Sequence, residues 1–209
     1  MVPRSHNMKD FSEFENKIGF EFKNKNFLKE ALTHRSYLNE NPAWENPHNE
    51  RLEFLGDAVI ELIITEELFK KFPDKPEGGL TSFRAALVNA DILSEMADKM
   101  GFGDFLLLSR GEAKDKGRAR QYILANAFEA VTGAIYLDGG YNQAKKFLSE
   151  NLLPELPKII TGKLYQDPKS LFQEKAQEFD AITPHYEVIR EWGPDHNKHF
   201  VVGVFLADK

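Results

Sequence analysis

Carboxylates recur at helical spacing in the stretch NERLEFLGDAVIELIITEELF, residues 49–69. Glu50, Glu53 and Asp57 occupy positions i, i+3 and i+7, which lie within a narrow arc of one helix face. Like charges this close raise each other's pKa and destabilise a fold unless something offsets them. A solvated face, or the favourable dipole at a helix N-terminus, is the ordinary explanation of such a stripe. A bound cation is the alternative.

A second helix raises the same question. The stretch QYILANAFEAVTGAIYLDGG, residues 121–140, is nearly apolar all round, except that Asn126 and Glu129 share one face. A glutamate in so apolar a helix is costly to bury without a partner. If the two helices pack with these faces inward, Glu53 and Asp57 converge with this pair, which favours Mg²⁺ or Mn²⁺, hard cations with oxygen ligands. Alternatively, the pair hydrogen-bonds within the bundle or faces outward.

Composition limits the class of protein. The 209 residues are enough for one large domain, or for one domain and a small module. The absence of cysteine excludes disulfides and thiolate metal sites and fits a cytoplasmic location. No apolar run is long enough to span a bilayer, so we expect no membrane partner. The net charge of −6 disfavours nucleic acid as a partner unless local basic patches or cations offset it.

The chain reads as two domains after a short foreign segment. Residues 1–7, MVPRSHN, resemble the remnant of a cleavable tag. Residues 8–163 read as amphipathic helices with no convincing strand, and Thr81 is expected to cap one of them. Residues 164–209 read as a helix followed by two alternating runs around a Gly-Pro break, which predicts an α-β-β module.

The stretch NERLEFLGDAVIE resembles the signature of ribonuclease III, a family of endonucleases that cut double-stranded RNA. ALTHRSYLNE, FRAALVNADILSEMA and SRGEAKDKGRARQYILANAFEAVTGAIYLDGG match the family in the same order. The tail resembles a double-stranded-RNA-binding domain, α-β-β-β-α in the family, of which the last strand and helix are missing here. The resemblance therefore implies a mostly α, dimeric endonuclease bundle followed by a small, partial α+β RNA-binding domain.

The resemblance also implies roles for the acids. Glu53, Asp57, Asn126 and Glu129 match the family's metal ligands, and Asp57 and Glu129 are catalytic there. Glu50 and Glu77 match further acids that serve a second metal or the RNA strand near the cut. The stretch KKFPDKPEGG, with its prolines and its Gly-Gly pair, is a strong helix breaker, so on loop composition alone Glu77 would be a solvated acid. Mg²⁺, or Mn²⁺ in its place, would support hydrolysis to 5′-phosphate and 3′-hydroxyl ends with short 3′ overhangs, in precursors of ribosomal and messenger RNA.

Asn126 departs from the family, which usually has aspartate at this position. Asparagine keeps an oxygen donor but removes a full negative charge, which weakens the attraction for Mg²⁺. Three explanations compete: a natural variant that still works, an engineered change that traps substrate, and an enzyme weakened toward RNA binding. We favour the first, because the other five acids are intact.

Binding residues follow from the same resemblance. Phe54 matches an aromatic that enters a pocket of the partner subunit, although an ordinary core position is equally compatible with the sequence.

The loop SRGEAKDKGRARQ could bind phosphates, or it could be a solvated loop of mixed charge. Its basic residues are Arg110, Lys114, Lys116, Arg118 and Arg120. Residues of the tail match minor-groove contacts of the family, although the Gln and Glu also suit helix capping: Lys169, Ser170, Gln173, Glu174 and His196.

Rival functions remain open at this point. The chain could be a dimer that binds duplex RNA without cutting it, which Asn126 and the incomplete tail favour. It could also be a helical metal-dependent hydrolase of a small phosphate, although the basic loop and the tail argue against that. His34 and His48 are tempting as catalytic groups, but a histidine beside a helix end is more often structural. A purely structural protein would leave both acidic faces unexplained.

Overall fold

The computed structural model describes residues 11–166, 168–194 and 198–206. The tag-like residues 1–7 therefore lie outside the described part of the chain. Contacts divide the chain into two compact units, Met1–Tyr165 and Gln166–Lys209. The predicted boundary, between residues 163 and 164, lies two residues before this division.

The first unit is helical, as the sequence predicts. Apart from one isolated parallel bridge between Thr33 and Leu107, its described residues contain no strand. Its helices are α1 (Phe11–Ile18), α2 (Lys25–Ala31), α3 (Arg35–Glu40), α4 (Glu50–Lys71), α5 (Glu77–Leu87), α6 (Ala90–Lys99), α7 (Phe102–Phe105), α8 (Arg118–Gly139), α9 (Tyr141–Asn151) and α10 (Leu156–Thr161).

Helices α4 and α8 form the centre of this unit. Ile60, Ile63 and Ile64 of α4 are fully buried, and so is nearly the whole apolar surface of α8. Glycines let the two backbones approach closely. A Cβ on Gly56 would lie 1.8 Å from the backbone oxygen of Glu129, and a Cβ on Gly133 would lie 2.4 Å from that of Leu52. The small-residue contacts therefore fix the distance between the two helices that carry the acids.

The predicted cap at Thr81 is wrong. Helix α5 begins at Glu77, and Thr81 lies inside it. The helix begins earlier because Pro76 adopts an extended conformation and its carbonyl accepts from the N–H of Gly79 at 2.9 Å. The Gly-Gly pair that suggested a loop lies in the first turn of the helix. Glu77 is consequently a helix N-terminal acid, where the macrodipole favours a negative charge.

The second unit has the predicted α-β-β order. Helix α11 (Pro168–Asp180) is followed by β1 (His185–Trp192) and β2 (His199–Phe205). The strands pair antiparallel from His185 opposite Phe205 to Trp192 opposite His199, with an irregularity after Val188. The described residues contain no third strand. Among the described helices, none has both the length and the apolar character required to cross a membrane.

Candidate active site

Helices α4 and α8 place four of the predicted metal ligands on neighbouring faces. The contact at Gly56 presses the backbone of Glu129 against α4, between the turns that carry Glu53 and Asp57. The amide of Asn126 donates a hydrogen bond to the carboxylate of Glu53. Both Glu53 and Asp57 act electrostatically on Glu129. We call Glu53, Asp57, Asn126 and Glu129 the acid cluster.

The acid cluster carries more negative charge than its surroundings offset. Burial raises the pKa of Glu129 to about 7, and the charges of Asp57 and Glu53 add to this effect. Burial also raises the pKa of Glu53, with help from Glu50 and Asp57, while the hydrogen bond from Asn126 opposes the rise. No positive charge is among the groups that act on either carboxylate in the described chain. The negative charge on Glu53 and Glu129 is therefore not offset by a neighbouring cation in the described chain.

The donor atoms fit a hard divalent cation. Three carboxylates and one amide supply only oxygen ligands, which suit Mg²⁺ and Mn²⁺ rather than a thiophilic metal. The side chains nevertheless stand apart. Within the described residues, no three histidine, cysteine or carboxylate side chains are drawn together closely enough to hold a metal. Carboxylates without a counter-charge repel one another, which accounts for this spacing.

Glu50 lies at the edge of the acid cluster. Its Oε1 forms an ion pair with Nη1 of Arg35 at 3.0 Å, and its charge contributes to the raised pKa of Glu53. Sequence reasoning missed Arg35, which begins α3, the helix before the loop that leads to α4. Glu77 accepts from the hydroxyl of Thr81 at 3.0 Å and is not among the charges that act on the cluster. A single protomer does not bring Glu77 to the site.

The two histidines lie close to Glu50 in the structure. Nδ1 of His34 accepts from the backbone N–H of Ser36 at 3.3 Å and so caps α3, and burial lowers its pKa. Nδ1 of His48 is buried without a hydrogen-bond partner in the described chain, 3.9 Å from Oε2 of Glu50. The structure therefore gives His34 a structural role, as the sequence favours, in the form of a helix cap.

The basic loop is tied to the segment that precedes α4. Besides the bridge between Thr33 and Leu107, the N–H of Leu107 donates to the carbonyl of Leu32 at 2.8 Å. Further along, the N–H of Ser109 donates to Oγ of Ser36 at 3.1 Å. These hydrogen bonds fix the start of the loop relative to the entrance of α4.

The cations of the loop differ in where they point. The backbone N–H of Arg110 donates to the carboxylate of Glu40 at 3.2 Å, and the residue is exposed. Lys114 and Arg118 are also exposed. Arg120 instead turns inward, where its Nη2 donates to the carbonyl of Gly103 at 3.2 Å. Arg120 is therefore a packing residue, which its position in a basic stretch did not reveal.

In the second unit, the predicted contacts lie at the start of α11. Nζ of Lys169 lies 4.4 Å from the ring centroid of Tyr186, and Glu174 is exposed while Gln173 is half-buried. The side chain of Ser170 and the whole of His196 lie outside the described residues.

Phe54 is not a core residue. Its side chain is 82% exposed, and it begins an exposed stripe along α4 that continues through Leu62, 60% exposed, and Phe69, 71% exposed. Ala58 and Thr65 complete the stripe at helical spacing. An exposed apolar stripe of this kind is more often an interaction surface than an ordinary part of the solvent-exposed surface.

Comparisons with known proteins agree with this architecture. A family model described as Ribonuclease-III-like matches residues 24–156. The chain is 46% identical over 203 residues to Ribonuclease 3 of Nitratiruptor, covering 97% of this chain and 87% of that protein. It is 45% identical to Ribonuclease 3 of Sulfurovum, over 97% of this chain and 88% of the relative.

A solved structure resembles the first unit. The nuclease domain of ribonuclease III from Campylobacter jejuni superposes with a TM-score of 0.64 at 41% identity, covering 72% of this chain and 98% of that one. Identity at this level over nearly the whole length, together with the acid cluster between α4 and α8, establishes the assignment. The chain belongs to the ribonuclease III family and is an endoribonuclease.

Proposed function

We propose that the chain hydrolyses double-stranded RNA with Mg²⁺, or Mn²⁺ in its place, held by the acid cluster. The observation that carries this proposal is the raised pKa of Glu129, about 7, beside Glu53 and Asp57, with no positive charge of the described chain among the groups that act on Glu129. Two helices held together by glycine contacts maintain this repulsion in the folded state. A divalent cation bound by oxygen ligands offsets it, so the arrangement suits a metal site better than a structural role.

The residues of the cluster have distinct tasks. When bound, the cation supplies Lewis-acid assistance, by activating water and stabilising the leaving oxygen. Asp57 and Glu129 would hold the cation from different helices, and would so orient the RNA strand over the surface where α4 and α8 meet. Glu53 binds beside them, and Asn126 offers its carbonyl oxygen once its amide no longer donates to Glu53. Glu50, held by Arg35, stays at the edge, where it can contact the strand or a second cation.

The proposed reaction fixes the ends of the products. Water attacks phosphorus, the bond from phosphorus to the 3′ oxygen breaks, and that oxygen takes up a proton. The products are a 5′-phosphate and a 3′-hydroxyl. The family resemblance implies that two symmetric sites cut opposite strands of one duplex and leave short 3′ overhangs. Duplex regions in precursors of ribosomal and messenger RNA are the proposed substrates, and a chain without cysteine suits a reducing cytoplasm.

The exposed stripe of α4 supports a homodimer. Leu62 lies midway between Phe54 and Phe69, so two copies of α4 crossing antiparallel near Leu62 bring Phe54 of one copy over Phe69 of the other. Beside Phe69 lies an apolar groove of about 420 Å³, lined by Leu68 and Leu80 among others, which can receive an aromatic ring. The Campylobacter jejuni nuclease domain has a region involved in dimer formation, which also supports this assembly.

The same dimer gives Glu77 a role. Glu77 lines the groove beside Phe69, so it would lie next to Phe54 of the second copy. Phe54 is adjacent in sequence to Glu53. Glu77 of one copy would thereby approach the acid cluster of the other copy, although it does not act on the cluster of its own protomer. This agrees with the role that the family resemblance implies for Glu77.

Two surfaces are proposed to bind the duplex. Arg110, Lys114 and Arg118, which are exposed along the basic loop and at the start of α8, are proposed to contact phosphates of the duplex. In the second unit, residues at the start of α11 and one after β1 are proposed to contact the minor groove by shape and 2′-hydroxyls: Lys169, Ser170, Gln173, Glu174 and His196.

Cleavage of a long, perfectly paired RNA tests the proposal. With Mg²⁺ we expect short duplexes with 5′-phosphates, and no cleavage with EDTA. Glu129→Gln should abolish cleavage and leave the circular dichroism spectrum unchanged. Glu150→Gln, on the surface of α9, is the matched control and should cleave normally. Normal cleavage by Glu129→Gln would refute the metal site.

Asn126 supports a second candidate function, the binding of duplex RNA without cleavage. A neutral amide that donates to Glu53 lowers the charge available to attract a cation. Asn126→Asp separates the two candidates. If only the aspartate variant cuts, this chain binds duplex RNA with a disabled site. If both cut, the asparagine is a working ligand.

A further inference from the structure

Arg118 and Tyr122 extend the face of α8 that carries the acid cluster. Together with Asn126 and Glu129 they occupy positions i, i+4, i+8 and i+11, which lie within one arc of the helix. At a rise of about 1.5 Å per residue, Tyr122 stands about 6 Å from Asn126 along the axis, and Arg118 about 16 Å from Glu129. The stripe leads from the basic loop to the proposed point of cleavage.

The two side chains are held against each other. The guanidinium carbon of Arg118 lies 5.7 Å from the ring centroid of Tyr122, within cation–π range. Nη2 of Arg118 donates to the hydroxyl of Tyr122 at 3.3 Å. Both residues are exposed, with Tyr122 at 48%. The contact orders a long side chain at the surface before any ligand arrives.

The pair still has unused donors. No carboxylate in the described chain forms an ion pair with Arg118, whereas Arg35 and Arg84 each pair with a glutamate. The hydroxyl of Tyr122 accepts from Arg118, and no acceptor for its own proton is found among the described residues. Two neighbouring donor groups, one of them cationic, match the oxygens of a single phosphate.

We propose that Arg118 and Tyr122 together bind one phosphate of the RNA backbone beside the point of cleavage, with Tyr122 as a substrate-positioning residue. The proposal rests on the nuclease function proposed above, since that function places RNA on this face. The tyrosine ring supports the guanidinium, and its hydroxyl donates the second hydrogen bond. This phosphate clamp sets how the strand enters the acid cluster, which repels the backbone on its own.

Binding measurements without metal test the clamp apart from catalysis. The probe is a fluorescently labelled, perfectly paired RNA in EDTA, titrated at several salt concentrations. Arg118→Gln should weaken binding roughly tenfold, the scale of one hydrogen bond to a charged group. It should also reduce the slope of log affinity against log salt by about one. Tyr122→Phe should weaken binding roughly fivefold. Lys146→Gln removes one positive charge from α9 and should change neither quantity appreciably.

A duplex with one neutral methylphosphonate linkage, moved stepwise along the strand near the cut, locates the phosphate. At one position the neutral linkage should weaken binding of the unaltered protein roughly tenfold, and it should not weaken Arg118→Gln any further. With Mg²⁺, Tyr122→Phe should lower kcat/KM by a similar factor. If the neutral linkage weakened binding by the same factor in the unaltered protein and in Arg118→Gln at every position along the strand, the clamp would be overturned.

The two proposals fail in different ways. If the unaltered protein cuts duplex RNA and the Arg118 and Tyr122 variants bind and cut as it does, the clamp is wrong and the nuclease function stands. If the unaltered protein never cuts but the neutral linkage and Arg118→Gln are coupled in binding, the clamp stands and the cleavage proposal fails.

Discussion

The backbone oxygen of Glu129 lies where Gly56 has no side chain, 1.8 Å from the position that a Cβ would take. This contact between a glycine of α4 and an acid-cluster residue of α8 sets the distance between the two acidic faces. Its disruption should therefore affect the fold and the site together.

Gly56→Ala should destabilise the protein by about 3 kcal/mol or more, because the methyl group would overlap a backbone atom that cannot rotate away. Urea unfolding followed by far-ultraviolet circular dichroism measures the change. Gly78→Ala is the matched control, since nothing lies within 4 Å of the Cβ that it would add. A Gly56→Ala protein as stable as this control would contradict the close approach of the helices.

The stability of the metal-free protein should depend on pH through Glu129. Its pKa is raised from 4.5 to about 7, so the folded state keeps a proton that the unfolded chain releases. Stability should therefore fall as pH rises from about 4.5 to 7. Glu129→Gln removes this penalty, so in EDTA it should raise Tm near pH 8 and change it little near pH 5.

Thermal unfolding of both proteins across this range gives the answer. Glu150→Gln, exposed on α9, should show no comparable divergence from the unaltered protein. A constant difference in Tm between Glu129→Gln and the unaltered protein would mean that Glu129 does not titrate as inferred.

Asn126→Asp should lower the stability of the metal-free protein and raise its affinity for the metal. The substitution removes the hydrogen bond that Asn126 donates to Glu53 and adds a charge to the acid cluster. In EDTA the variant should melt at a lower temperature than the unaltered protein, and it should bind Mn²⁺ more tightly in calorimetric titration. Asn126→Ala, which removes the hydrogen bond without adding charge, separates the two effects. An aspartate variant with unchanged Mn²⁺ affinity would place Asn126 outside the metal site.

Phe54→Ala should weaken the proposed homodimer roughly thirtyfold or more, because an aromatic anchor that becomes buried on assembly typically contributes about 2 kcal/mol or more to an interface. Sedimentation velocity over a range of concentrations measures the shift toward monomer. Phe179→Ala truncates a similarly exposed aromatic of the second unit and should not affect assembly. Equal dissociation of the two variants would remove the α4 stripe from the interface.

The acid cluster could be predicted from the sequence because helical periodicity places Glu53 with Asp57, and Asn126 with Glu129. The packing of one pair on the other depends on Gly56, whose role is visible only when α8 lies against it. The ion pair between Arg35 and Glu50 was beyond prediction for the same reason, since it joins two elements across a loop.

Local signals failed where several of them competed. The Gly-Gly pair before Thr81 suggested a loop, but Pro76 starts the helix earlier. Phe54 fits both a core and an interface pattern, and only its exposure in the folded protomer excludes the core position. Arg120 looks like its basic neighbours in sequence, yet it turns inward to Gly103.

The hydrogen bond from Ser109 to Ser36 fixes the start of the basic loop against the first turn of α3, the helix that precedes α4. If the loop binds the duplex and the acid cluster cuts it, as proposed, a change in this region would shift the two surfaces together rather than one against the other. Duplexes of different sequence would then be cut at the same distance from the segment that the loop binds. The distance along the duplex between the bound segment and the cut would then be set by the protein and not by the RNA sequence.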